Sequence, residues 1–307
     1  MPDVLTPDRQ FRVASRCELL SYLLGPPATL SRKEAKQLLR FGAVSVRYRQ
    51  NVRHDTKLEP GDLVTISTAK RRRDVEVALH GIKIVHLDEA VVVVDKPAGL
   101  LSMGSPREKE RTAHRILNDY LKAQTKSPSQ QAFIVHRLDR ETSGLMLFAR
   151  NERIQAALQQ NWKSVTKKYL AMVEGTPSRP SGTLKDRLLE DKSLRVRRVE
   201  NGGELAITHY RVLGKHGKRS VLELTLETGR KNQIRVQLAA LGHPIVGDSK
   251  YGASTGSARR LMLHSCELIF SHPVSGAPMK FVSPPPAPMS ALAGRLLPSP
   301  VVAKVQG

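Results

Sequence analysis

Two cysteines, Cys17 and Cys266, stand in 307 residues. That is too few for a disulfide framework or a cysteine zinc site. Ten histidines show no metal-ligand spacing, and His80 and His86 read as strand-edge residues, so no metal is expected. No glycine loop of the phosphate-cradling or dinucleotide type occurs, and no organic cofactor is implied. Aromatic residues make up 4%, with one tryptophan, which excludes an extended base-stacking platform. The longest apolar runs, such as Ala90–Val94, are far too short to cross a bilayer. The opening MPDVLTPDRQ has no apolar core, so no signal peptide and a cytoplasmic location are expected. Acidic residues are also scarce: 28 against 50 lysines and arginines, a net charge of +22. Such a surplus excludes work on cationic partners and favours a polyanion, most often nucleic acid.

What is present is a chain with 40% hydrophobic residues, enough for a core and long enough for two domains. Positive charge is densest in residues 9–73, with fifteen bases against five acids, ending in the linker-like Lys70-Arg71-Arg72-Arg73. Ser31 and Glu34 fit a capping box. Behind them Ala35, Leu38 and Leu39 form an apolar stripe, and Gly42 supplies a stop. Arg32, Lys36 and Arg40 share the opposite face at four-residue spacing. Arg47, Arg49 and Arg53 follow, amid short strands expected at 43–47 and 63–66. A face on which every charge is positive, with more arginines behind it, points to RNA contact. A proline-rich stretch, SPPPAPMSALAGRLLPSP, begins at residue 283 and reads as a loose or surface-draped tail. Three segments are therefore expected: 1–73, a small basic α/β RNA-binding domain with its linker; 74–282, the main domain; and 283–307, the tail.

From residue 80 strands and helices interleave irregularly. Strands are expected around 82–84, 91–94, 133–138, 145–148 and 222–226, and helices over 112–123, 152–165 and 232–241. This is an α+β pattern with a mixed, largely antiparallel central sheet and flanking helices. Its densest polar stretch is His136-Arg137-Leu138-Asp139-Arg140-Glu141-Thr142-Ser143-Gly144, between two apolar strands. Flanking arginines predict an ionised Asp139 with a lowered pKa. Three readings fit: a charged hairpin loop, a glycosidase-like pair of Asp139 and Glu141, or one anionic carboxylate acting on a nucleoside.

The segment HRLDRETSGLMLFAR resembles the signature of the RluA-type RNA pseudouridine synthases. DKPAGLL, KKYLAMVEG, TGRKNQIRVQLAALGHPIVGDSKYG and RLMLHSCELIF resemble further motifs of that family in the same order, spanning roughly residues 80–282. The segments SRKEAKQLLRFGAVSV and KLEPGDLVTI resemble a small RNA-binding domain of the ribosomal-protein-S-four type, which several family members carry at the N-terminus.

The resemblance implies isomerisation of uridine to pseudouridine within structured RNA by one aspartate, with neither metal nor cofactor. Asp139 would be the catalytic carboxylate. Tyr169 would pack on the uracil and take part in removing its carbon-5 proton, and Arg235 would pair with Asp139. Arg137 would hold the stack opened by base extrusion, Leu263 would line the uracil pocket, and Lys96 would cap a turn or touch phosphate. With Arg32, Lys36, Arg40, Arg47 and Arg49 these make up the expected RNA contacts. Large-subunit ribosomal RNA is the expected substrate. Transfer RNA is the alternative, as is an idle RNA-binding or ribosome-assembly protein. No protein partner is implied and a monomer is expected. The sequence departs from the family at two positions: Asn232 and Gln237 stand where histidines are usual.

Overall fold

Four consecutive valines, Val91–Val94, are fully buried. An apolar run without alternation belongs to a strand covered on both faces, and these residues lie in a strand one in from the sheet edge in the larger of two compact units, 1–80 and 81–307. The computed structural model describes residues 9–40, 44–46, 52–66, 80–105, 108–125, 131–253, 258, 260–287 and 289–290.

In the first unit, β1 (Arg9–Arg12), β5 (Leu63–Ile66) and β3 (Val44–Val46) form an antiparallel sheet. A second pair joins β2 (Cys17–Glu18) to β4 (Lys57–Leu58). Helices α1 (Leu19–Leu24) and α2 (Arg32–Arg40) supply Leu19, Leu23, Ala35 and Leu38 to their common core. The serine half of the expected capping box forms at α2, the Glu34 N–H donating to Ser31 Oγ at 3.2 Å. Arg32 and Lys36 are exposed on this helix. The Arg40 side chain, Arg47, Arg49 and the linker 70–73 lie outside the described residues.

The second unit is built on an eleven-stranded sheet. Its strands are β6 (Lys83–Leu87), β7 (Val91–Lys96), β8 (Phe133–Ile134), β9 (Ser143–Ala149), β10 (Thr166–Glu174) and β11 (Ser181–Glu190). They continue as β12 (Val196–Val199), β13 (Glu204–His216), β14 (Arg219–Leu226), β15 (Leu263–Ser271) and β16 (Pro278–Val282). The order is β12-β11-β13-β14-β10-β15-β9-β7-β6, with β16 on β15 and β8 on β9. Among the described strands, pairing is antiparallel except between β9 and β15, where Ser143 and Gly144 lie beside His264 and Ser265. At that junction the backbones nearly touch: a Cβ on Gly144, whose φ is +112°, would sit 2.2 Å from the Ser265 carbonyl oxygen. Only glycine fits there. Helix α3 (Ala113–Thr125) contributes Ile116, Leu117 and Leu121 to the core. Helix α4 (Glu152–Gln160) buries Ile154 and Leu158, and α5 (Gln233–Ala240) is buried along most of its length.

Two expected elements are shorter. The helix over 152–165 ends at Gln160, followed by a separate turn at Trp162–Ser164. The strand predicted over 133–138 ends at Ile134. His136 stops it by turning inward, where its ring stacks on Trp162 at 4.5 Å and accepts the Leu147 N–H at 3.0 Å. Residues 135–142 are thereby freed to form a loop. The tail, expected as loose or surface-draped, is packed on the body over its described residues. The Ser283 N–H donates to the Cys266 carbonyl, its hydroxyl donates to Asp95 Oδ2 at 2.7 Å, and Met289 is fully buried.

Candidate active site

The loop released at His136 is held from below by the turn after β7. Ser102 Oγ donates to the Leu138 carbonyl and accepts the Leu138 N–H, at 2.6 and 3.0 Å. The Gly99 N–H donates to the Arg140 carbonyl at 2.8 Å, and Arg140 Nε returns a bond to the Gly99 carbonyl. Lys96 is fully buried and donates to the carbonyls of Pro97, Leu100 and Arg140. Of its two expected roles, the structure leaves the turn cap: a lysine closed off from solvent does not contact an RNA phosphate. Burial lowers its pKa to about 7, against the pull of Asp139 and Glu141.

So clamped, the loop presents Asp139 to a groove of about 1000 Å³ lined also by Arg137, Tyr169, Arg230, Lys231 and Arg235. A side recess of about 80 Å³ joins Asp139 to Tyr169, Thr142 and Leu263. Tyr169 and Leu263 arrive from β10 and β15, neighbours in the sheet, and Asp139 from the loop entering β9. A bulge skips Cys266 as Tyr169 pairs with Ser265, the kind of irregularity that re-aims a side chain. Burial raises the Tyr169 pKa well above the ordinary phenol value. Its ring lines the recess beside Asp139. Arg137 lies exposed at the rim, its guanidinium 3.7 Å from Met103 Sδ.

Charge around Asp139 differs from the sequence expectation in sign. Although 27% of its side-chain surface faces the groove, the packed surroundings desolvate the carboxyl, and Glu141 adds repulsion. These outweigh Arg235, Lys96 and Arg137, so the pKa is raised, not lowered. Arg140, expected to help, spends its guanidinium on the Gly99 carbonyl. Arg235 also has a different principal partner. Its Nε and Nη2 each bond the fully buried carboxylate of Asp248 at 2.8 Å, a bidentate fork. Only Nη1 turns to the groove, 3.8 Å from Asp139 and 3.6 Å from Glu141. Asp248 carries no distinct signal in the sequence beyond being an acid after the apolar Pro244–Val246. The missed clue is that an arginine on a buried helix requires a carboxylate.

The departures from the family pattern separate. Gln237 is buried away from the groove, accepting from Thr208 and donating to Leu184, Ala206 and Asp186, so it ties α5 to the sheet. Asn232 sits at the mouth of α5 in the left-handed region, φ 54°, a conformation asparagine tolerates. Among the described residues no cluster of histidine, cysteine or acid fits a metal, and no helix is long and apolar enough to span a membrane.

The groove thus sets Asp139, with Arg235 behind it, at one side of a long central sheet. Residues 90–240 match the family described as RNA pseudouridylate synthase. The chain is 34% identical over 252 residues to the uncharacterised RNA pseudouridine synthase YhcT of Bacillus subtilis, covering 79% of this chain and 82% of that one. It is 31% identical over 283 residues to the ribosomal large subunit pseudouridine synthase D of Vibrio cholerae, covering 84% and 85%. The solved human RNA Pseudouridylate Synthase Domain Containing 4 superposes with a TM-score of 0.60 at 25% identity, covering 74% of this chain and 97% of that one. The protein belongs to the RNA pseudouridine synthase family and isomerises uridine in RNA.

Proposed function

We propose that Asp139 is the carboxylate that acts on the target nucleoside and that the substrate is large-subunit ribosomal RNA. The observation carrying the first part is the convergence of Asp139, Tyr169, Leu263 and Arg235 on one recess. The reaction breaks the bond between sugar C1′ and uracil N1 and joins C1′ to uracil C5. The C5 proton leaves to solvent and N1 gains one, so neither oxidant nor leaving group is needed. Asp139 works ionised, as nucleophile at C1′ or as base at C2′. A primary isotope effect with 2′-deuterated uridine selects the second route. Leu263 and Tyr169 shield the uracil, and the exposed Arg137 meets the opened strand at the rim.

The ribosomal assignment draws on the name of the Vibrio relative and on the net charge of +22. Transcripts carrying 5-tritiated uridine test it, because each turnover releases the C5 tritium to water. Release is expected from large-subunit ribosomal RNA and not from transfer RNA. Release from transfer RNA alone would overturn the ribosomal assignment.

The exposed Arg32 and Lys36 support a role for the first unit in phosphate contact. Deleting residues 1–73 is expected to weaken RNA binding about tenfold and to flatten its salt dependence, since each lost phosphate contact removes one counterion-release step. Equal salt slopes for the full and shortened chains refute that role.

A further inference from the structure

The Asn232 amide has one orientation that satisfies its neighbours. With its oxygen toward Asp139, two acceptors would face each other 2.8 Å apart, a repulsion that the single 3.3 Å bond from Arg235 Nη1 does not offset. Turned over, its nitrogen donates to Asp139 Oδ2 at 2.8 Å and approaches Oδ1 at 3.3 Å. Its oxygen then accepts from the Tyr251 hydroxyl at 3.0 Å. Tyr251 is itself fixed. Its hydroxyl oxygen accepts the Val196 N–H at 3.3 Å, and the guanidiniums of Arg235 and Arg195 lie 5.2 and 5.6 Å from its ring centre.

We propose that Asn232, oriented by Tyr251, is a positioning residue that aims the Asp139 carboxylate and holds it in its ionised form. This rests on Asp139 being the catalytic carboxylate. The geometry makes Asn232 the nearest donor: the Arg235 guanidinium stands 3.8 Å from Asp139 and gives its two short bonds to Asp248. The other charged or titratable groups acting on Asp139 are Glu141 on its own loop, Lys96 at the end of β7, Arg137 at the rim and Tyr169 on β10. Against burial and Glu141, a short amide hydrogen bond favours the anion without adding a second titrating group. That distinguishes asparagine from the histidine usual at this position, whose own ionisation would enter the pH dependence of the reaction.

The test uses the full-length protein and the tritium-release assay from pH 5 to pH 9. Asn232→Gly removes the amide while keeping the positive φ, which alanine would strain. It is expected to lower kcat about 10- to 100-fold with KM within about twofold. The acidic limb of the pH profile should move upward by roughly half a unit to one unit, because the anion loses its donor. Tyr251→Phe keeps the ring against Arg235, leaves the backbone at 232 untouched and should shift the limb in the same direction by less. Asn232→Asp sets a carboxylate against a carboxylate and should cost more than Asn232→Gly. Asn232→His should add a second ionisation near neutral pH. An unmoved acidic limb in both Asn232→Gly and Tyr251→Phe overturns the inference, as does an Asn232→Asp variant more active than Asn232→Gly. An inactive Asp139→Asn variant beside such results would leave the catalytic assignment standing and remove only the positioning role.

Discussion

Asp139→Asn is expected to abolish pseudouridine formation, lowering tritium release by at least about 10³-fold, while RNA affinity stays within about threefold. The amide is nearly isosteric with the carboxylate and disturbs no clamp of the loop, because the bonds from Ser102, Gly99 and Lys96 all go to backbone groups or carbonyls. The same variant carries a second expectation about stability. A carboxyl whose pKa in the fold lies above its unfolded value binds its proton more tightly when folded. Stability therefore declines as pH rises from the unfolded value through the folded one. Burial and Glu141 push Asp139 in that direction, against the hydrogen bond from Asn232, so removing its charge at neutral pH is not expected to cost folding stability. The neutral variant should melt at the same temperature as the parent or higher, by calorimetry at pH 7. An active Asp139→Asn enzyme sinks the catalytic assignment. An inactive one that also melts lower sinks the argument from burial.

Asp248→Ala carries the largest expected stability loss. It removes a buried carboxylate that takes both short bonds of the Arg235 fork. An arginine left buried without its partner costs about 3–5 kcal/mol, and the nearby Asp139 and Glu141 hold the expectation at the lower end. About 3 kcal/mol corresponds to roughly 6–12 °C in Tm. Activity should fall about 100-fold or more, because the freed guanidinium no longer has a fixed angle toward Asp139. A double variant, Arg235→Met with Asp248→Leu, separates the two effects. Replacing the pair by apolar groups of similar size should recover most of the lost stability, yet activity should stay low. Recovery of turnover in the double variant would show that the arginine does no work at the groove.

Much of the framework was legible without coordinates. The uninterrupted Val91–Val94, the alternation of Leu222, Leu224 and Leu226, and the apolar face of 113–121 report burial through side-chain period, which is local. The Thr142-Ser143-Gly144 turn was legible as a motif, though not its reason, which is the carbonyl of Ser265 lying against Gly144. Errors arose where a long-range partner overrode a local pattern. Phe133–Leu138 reads as a strand until Trp162 and the Leu147 N–H capture His136. The tail reads as loose or surface-draped, and only the fold shows its first residue tied down where Ser283 meets Asp95.

By itself the sequence determined the family, the reaction class, the preference for a polyanion and the residue types of the site, because these depend on composition and on ordered motifs. Only the tertiary structure decided which charges face one another. It gave Arg235 to Asp248, closed Lys96 off from solvent, brought Asn232 to Asp139 and reversed the sign of the Asp139 shift. The reason is physical: a pKa and an ion pair depend on distance and desolvation, and residues adjacent in the chain, such as Asp139 and Arg140, can point their charges apart. Asn232 and Arg235, more than ninety positions further along the chain, become the real neighbours of Asp139 only after the sheet has formed.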